Sequence, residues 1–305
     1  MSDQVKRLLI VGGVAGGASC AARARRLSET TEIVIFERGN FISFANCGLP
    51  YYVGDVITEE QKLLVATPHL FKQRFNIEVR LENEVVGIDR DAKEIEVKNL
   101  NTGEIYRESY DALVLSPGAK PIRPPLPGID LPGIFALRTI PDSRQIRDWI
   151  TAHSVKRAVI VGGGFIGLEM AENLVHRGID VTLVENLPQV MSPLDPEMAT
   201  PVHDHLSSKD VNLRLNDGVV GFETTSDGSI TVKTKSGEEL AADLVILGIG
   251  VRPETTLAIA AGLELGERGG IRVTDQMQTS DSSIWAVGDA VESQDFVTKE
   301  LRLFL

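Results

Sequence analysis

Cys47 lies in the stretch ISFANCGLPYY, Ile42 to Tyr52, and is one of two cysteines among 305 residues. A thiolate can attack a disulfide or carry a sulfur atom, but protein dithiol chemistry needs a second cysteine close by. None lies near in sequence. Cys47 is therefore either a small buried apolar residue or a redox thiol whose partner is not protein. Pro50 suits the first turn of a helix, which would set Cys47 just ahead of a helix N-terminus, where a thiolate is stabilised. Cys20 shares helical spacing with Ala24 and Leu27 and reads as a packing residue. Two cysteines cannot build a disulfide framework, so a reducing cytoplasm is the expected location.

The second chemical signal is glycine followed by acid. Gly162, Gly164 and Gly167 are spaced as G-x-G-x-x-G after an apolar run, and Glu185 ends the next apolar run. The first glycine permits a tight bend, the second lets backbone approach a pyrophosphate, and the third lets helix pack on strand. The pyrophosphate then sits at a helix N-terminus, and the acid accepts from a ribose hydroxyl. An earlier copy holds Gly12, Gly13, Gly16, Gly17 and Glu37, with Val14 at the second glycine position. Two dinucleotide sites in one chain suggest a flavin and a nicotinamide. Glu185 would repel a 2′-phosphate, which favours NADH over NADPH; Arg177, close in sequence, opposes that preference.

Around these residues the chain repeats. RLLIVGGVAGGASCAARARRL leading to TEIVIFE matches RAVIVGGGFIGLEMAENLVHRG leading to IDVTLVE, with an offset of 150 from Gly12 to Gly162 and 148 from Glu37 to Glu185. Each copy reads as strand, glycine turn, helix, strand, and is followed by alternating strands joined by Gly-, Asp- or Asn-bearing turns. The fold class is α/β: two Rossmann-like dinucleotide-binding domains, each a parallel sheet with an antiparallel meander. The Pro- and Gly-rich SPGAKPIRPPLPGIDLPG reads as the linker between them. Residues 1–119 plus 251–305 make one discontinuous domain and 120–250 the other.

A net charge of −12 argues against general nucleic-acid binding. LLIVGGVAGG imitates a signal peptide but is broken by four glycines and leads into basic AARARRL. No run of about 18 apolar residues promises a membrane span. His203 and His205 stand two apart, off a common helix face, and read as surface histidines; no metal site is expected.

With these elements in place, SFANC (Ser43 to Cys47), GGVAGGASCAARARRL and Gly288-Asp289 closely resemble the coenzyme A-disulfide reductase group of pyridine nucleotide-disulfide oxidoreductases. That group includes NADH-dependent persulfide reductases and water-forming NADH oxidases. The resemblance covers essentially the whole chain. It implies FAD in the discontinuous domain, with Asp289 on the ribityl chain, and NADH or NADPH in the other. It implies a single redox cysteine, Cys47, that forms a mixed disulfide with coenzyme A, or carries a persulfide sulfur, and is reduced through the flavin. Cofactor contacts carry over onto Gly12, Gly13, Ala15, Gly16, Glu37, Arg38, Val85, Ser116, Gly118, Arg138, Gly288 and Asp289. They carry over also onto Gly162, Gly164, Phe165, Ile166, Gly167, Glu185 and Gly250. Glu169 resembles a glutamate near nicotinamide in relatives; a helix-surface charge is the alternative.

Coenzyme A needs local positive charge. Ser19, Arg23 and Arg26 fall at i, i+4 and i+7, one helix face, and by resemblance contact this ligand together with Ser43 and Asn46. A lysine that some relatives use for it is replaced by Phe75, flanked by Lys72 and Arg74. Relatives are homodimers through a C-terminal domain that this sequence, ending in VTKELRLFL like the second strand of a hairpin, does not reach. The chain thus reads as C-terminally truncated. Alternatives to the reductase are a water-forming NADH oxidase cycling Cys47 through sulfenic acid, and a flavin- and nucleotide-binding fragment without turnover.

Overall fold

A computed structural model describes residues 5–226 and 228–303. The chain forms two compact units: residues 1–44, 64–120 and 252–305 in one, and residues 45–63 and 121–251 in the other.

The first unit is built on a five-stranded sheet ordered Ile284–Ala286, Ala112–Leu115, Arg7–Val11, Glu32–Glu37, Glu78–Leu81. Every neighbouring pair is parallel. The central strands are continuous β-branched and aliphatic runs because both faces are covered. Leu9 and Ile10 are wholly buried and serve opposite faces, Leu9 with Phe36 and Leu113, Ile10 with Ala21 and Ile35. The helix Ala15–Leu27 covers the second face. A meander of Asn83–Asp89, Glu94–Asn99 and Ile105–Ser109 packs on the first, through Val85, Ile95 and Val97.

The second unit repeats the plan. Its sheet runs Asn212–Arg214, Asp180–Val184, Arg157–Val161, Leu244–Leu247, Ile134–Phe135, all parallel. Its helix is Phe165–His176, and its meander is Val219–Thr224, Ile230–Thr234 and Glu239–Ala242. The two meanders share an irregularity in the same place, between Val85 and Gly87 and between Val219 and Gly221. Strand order reverses beside Arg7–Val11 in the first sheet and beside Arg157–Val161 in the second, so the crevice at the carboxyl end of each is where a nucleotide binds in such folds.

Two details depart from the sequence pattern and a third follows it. Cys20 and Ala24 pack against the core as their spacing requires, but Leu27 ends the helix in solvent. The stretch 45–63 precedes the linker in the chain, yet packs with residues 121–251. Val291–Gln294 and Leu301–Leu303 do form an antiparallel hairpin; Phe304 and Leu305 lie outside the described residues.

Candidate dinucleotide and thiol site

Each glycine turn is held by one construction used twice. Gly12 has φ +92° and Gly162 φ +106°, the left-handed region where a side chain is strained. A Cβ on Gly12 would also lie 2.8 Å from the Ser116 carbonyl carbon, and one on Gly162 2.7 Å from that of Gly248. Both turns thus press against the strand on the far side of the crevice. Gly17 and Gly167 let the helix close on the turn, a Cβ there falling 3.0 and 3.1 Å from the carbonyl carbons of Gly12 and Gly162. Gly13 N–H donates to Glu37 Oε2 at 2.8 Å, and Gly163 N–H to Glu185 Oε2 at 2.6 Å. The remaining oxygens accept from Gly39 N–H at 2.7 Å and from Leu187 N–H at 2.8 Å. The acids predicted for ribose therefore also brace the turns, and each oxygen keeps a lone pair.

The carbonyls of Gly13 and Gly163 are tied as well. Ser43 N–H donates to Gly13 O at 2.9 Å and Met191 N–H to Gly163 O at 2.8 Å. Both donors adopt left-handed backbone, at φ 48° and 51°. Neither sequence motif contains this clasp. Its signal is a buried aliphatic residue, Ile42 or Val190, that follows the acid by five positions and lies against Gly13 or Gly163.

The turns differ at one point. Nothing stands within 4 Å of where a Cβ on Gly164 would go, whereas the first copy carries the Val14 side chain there. Neither the 13-residue helix Ala15–Leu27 nor the 12-residue helix Phe165–His176 has a side-chain cap or an acid in its first turn. Their N-terminal N–H groups are left to an anion, so the residues fit a pyrophosphate in both copies.

The other expected contacts distribute as follows. Gly16 lies against Ser116 Oγ and Val287, at the end of the strand that precedes Gly288-Asp289. Gly118 and Gly288 take φ +72° and +82°. Ala15 is exposed, Arg38 reaches Glu84 at 4.0 Å, and Val85 is buried in the core. All of these belong to the first unit. Arg138, whose N–H donates to Asp142 Oδ2 at 3.0 Å, belongs to the second, with Gly250, exposed Phe165, half-exposed Ile166 and half-buried Glu169. Burial, reinforced by Glu172, pushes the Glu169 carboxyl up.

Cys47 is exposed, in a 3-10 turn, Asn46–Gly48, directly ahead of the short helix Leu49–Val53 with Pro50 in its first turn. Cys20 is half-buried, and burial pushes its thiol up. Asn46 Oδ1 is buried and has no hydrogen-bond partner among the described residues. The segment 45–63 is closed by Ala45 N–H to Leu63 O at 2.8 Å. It is held by three arginines the sequence reading did not place there. Arg144 grips Glu60 by donating from Nε and Nη2, at 2.9 and 2.8 Å. Arg147 pairs with Asp55 and stacks on Tyr52 at 4.1 Å. Arg177 reaches Asp55 at 3.4 Å and Val53 O at 3.1 Å. Gly54 is pressed against Asn173. Arg177 is thus engaged by this segment.

Ser19, Arg23 and Arg26 form one exposed helix face, and neither arginine makes an ion pair among the described residues. Arg25 between them does structural work, donating to Phe75 O and Asn76 O at 2.7 and 3.1 Å. That bond brings the end of the helix Pro68–Phe75, with exposed Lys72 and Arg74, beside the basic helix. The reading of His203 needs correction: it is half-buried, and its Nε2 accepts from Val190 N–H at 3.1 Å. No helix among the described residues is long and apolar enough to cross a membrane.

Two parallel sheets with paired dinucleotide turns and a lone exposed thiol define the class, and the chain belongs to the pyridine nucleotide-disulphide oxidoreductase family, whose model matches residues 6–301. Within it, the chain is 37% identical over 289 residues to a coenzyme A disulfide reductase of Staphylococcus haemolyticus, covering 95% of this chain and 64% of that protein. Among solved structures, reduced CoADR-RHD from Bacillus anthracis is 52% identical with a TM-score of 0.95, over 98% of this chain and 54% of that one. The NAD-dependent persulfide reductase of A. fulgidus is 35% identical with a TM-score of 0.93, over 97% and 56%. The chain thus spans less than two thirds of the length of these relatives.

Proposed function

We propose that this protein is an FAD-dependent NAD(P)H oxidoreductase that reduces coenzyme A disulfide or coenzyme A persulfide through Cys47. The observation that carries the reading is the exposed, solitary Cys47 on a segment clamped to the same unit as the Gly162–Gly167 turn. The turn at Gly12 to Gly17, Glu37, Arg38, Val85, Ser116, Gly118, Gly288 and Asp289 would hold FAD, and Gly162 to Gly167, Glu185 and Gly250 the nicotinamide nucleotide, with Arg138 a further cofactor contact. Residues 1–119 with 251–305 are then the FAD domain and 120–250 the NAD(P)H domain, except that the segment 45–63 of the former packs within the unit of the latter. The Asp55-bound state of Arg177 supports NADH as the donor.

The phosphates of coenzyme A find cations at Arg23 and Arg26, beside Ser19, with Ser43 and Asn46 as polar contacts. Cys47 thiolate attacks one sulfur of the disulfide; its S–S bond breaks, one coenzyme A leaves as thiolate, and a Cys47–coenzyme A mixed disulfide forms. Splitting that bond needs two electrons and releases the second coenzyme A with Cys47 thiolate restored. When bound, FAD would supply those electrons, with the nicotinamide nucleotide as their source. Solvent at exposed Cys47 supplies the proton the departing thiolate takes up. Free thiols at both cysteines suit a reducing cytoplasm.

The test is NADH oxidation with coenzyme A disulfide or persulfide under anaerobic conditions, monitored with release of coenzyme A thiol. Cys47→Ser should reduce turnover at least a hundredfold. An unchanged rate in that variant refutes the mechanism. Oxygen uptake without a thiol substrate would instead point to a water-forming NADH oxidase, and a flavin band that NADH does not bleach would point to a non-catalytic binder.

A further inference from the structure

We infer that His203 is a positioning residue for the nicotinamide nucleotide: its neutral ring supplies the acceptor that fixes the loop closing over the Gly162–Gly167 turn. The inference rests on the reading of that turn as the nucleotide site.

The loop runs from Asn186 to Leu194, directly after Glu185, and Val190 at its centre is wholly buried. The Val190 side chain lies against Gly163, 2.8 Å from where a Cβ there would stand. Met191 N–H takes the Gly163 carbonyl, and Glu185 takes the Gly163 N–H. Both polar backbone atoms of this turn residue are thus committed to partners around one loop. Met191 pays for the geometry with left-handed backbone at φ 51°, which a non-glycine residue adopts only when its surroundings hold it there.

What holds it is Val190 N–H. A buried N–H needs an acceptor, and the loop's own carbonyls do not provide one. His203, on the separate helix Pro196–Ser208, does so through Nε2 at 3.1 Å. The nitrogen that accepts must carry a lone pair, so the ring is neutral with its proton on Nδ1. Remove the acceptor and the N–H must turn toward water, taking Val190 off Gly163 and Met191 off the Gly163 carbonyl. The loss falls on the turn that receives the pyrophosphate, not on the thiol.

The experiment is NADH titration of the full chain, followed by the fluorescence of bound NADH, for the unaltered protein, His203→Phe, His203→Gln and His205→Ala. Phe keeps a ring without an acceptor; Gln keeps an acceptor without a ring. His203→Phe should raise the NADH Kd about tenfold, His203→Gln should stay within about twofold, and His205→Ala, on the exposed side, should match the unaltered chain. Equal binding by the Phe variant, or binding by Gln as weak as by Phe, overturns the positioning role while the nucleotide reading stands. No NADH binding by the unaltered chain removes the nucleotide reading and this inference with it. Should the Phe variant not fold, the Val190 amide of the unaltered chain decides: it should exchange with the slowest protons of the unit, and rapid exchange there overturns the bond.

Discussion

Asp55→Asn should loosen the Cys47-bearing segment without unfolding the unit around it. Asp55 is the shared partner of Arg147 and Arg177, whose side chains are only 23% and 17% exposed. It adopts φ 60°, which Asn tolerates, so the substitution removes charge and leaves backbone preference nearly unchanged. Taking a hydrogen-bonded charge from two largely covered guanidiniums costs about 1–3 kcal/mol. Because the Asp55 side chain is itself 42% exposed, water replaces part of the loss, and about 2 kcal/mol is the reasonable value. The Arg177 bond to Val53 O and the Arg144–Glu60 pair persist, so the cost falls on local opening. The amides that report it are Gly54, bonded to Pro50 O, and Val56 and Ile57, both bonded to Tyr51 O. A loss of about 2 kcal/mol in local opening raises their exchange about 30-fold. Hydrogen exchange read by mass spectrometry should show this rise over residues 54–57, with the strand Arg157–Val161 unmoved. A rise below threefold, or the same rise in that strand, refutes the claim that the arginine clamp sets the stability of this segment.

Other consequences are equally specific. Gly162→Ala should cost several kcal/mol of stability, from positive φ and collision with the Gly248 carbonyl. Gly164→Ala meets open space and should melt normally, yet bind NADH at least tenfold more weakly; equal binding would show that no ligand uses that space. Burial pushes the Glu108 carboxyl up, but Arg80 and Arg7 outweigh it and hold it below the ordinary value. A depressed acid contributes stability that is complete above its unfolded pKa of about 4.3 and is lost as pH falls through the folded one. Glu108→Gln should therefore destabilise the protein at pH 7, and denaturant midpoints of variant and parent should converge below about pH 4; a constant gap would remove the charge from the explanation.

Much of this was legible locally. The spacing of Gly162, Gly164, Gly167 and Glu185 is a property of one strand–turn–helix–strand unit, so its geometry follows from residues within about 25 positions of each other. The meanders were legible for the same reason, since alternation and turn residues act between neighbours in sequence. The missed features are distant ones. Arg147 meets Asp55 across 92 positions and Arg177 meets Val53 across 124. No composition pattern pairs one arginine of 31 basic residues with one acid of 43. His203 was misread because the absence of a metal set says nothing about a backbone N–H that arrives from another loop.

The repeat also accounts for where the thiol sits. A duplicated unit gives two equivalent turns, clasped alike by Ser43 and by Met191, and equivalence alone cannot make the copies differ. The copies part at two places. One is Val14 against Gly164, which changes the space beside the turn. The other follows the clasp. Five positions separate Met191 from the helix beginning at Pro196, whereas twenty-five separate Ser43 from the helix beginning at Pro68. The longer stretch contains residues 45–63, and with them Cys47, Asp55 and Glu60. It has no counterpart in the second copy to supply a facing cysteine. It leaves the first copy's sheet to pack on the second unit's helices through Gly54, Asp55 and Glu60. The lone thiol of this segment thus sits where the repeat is broken.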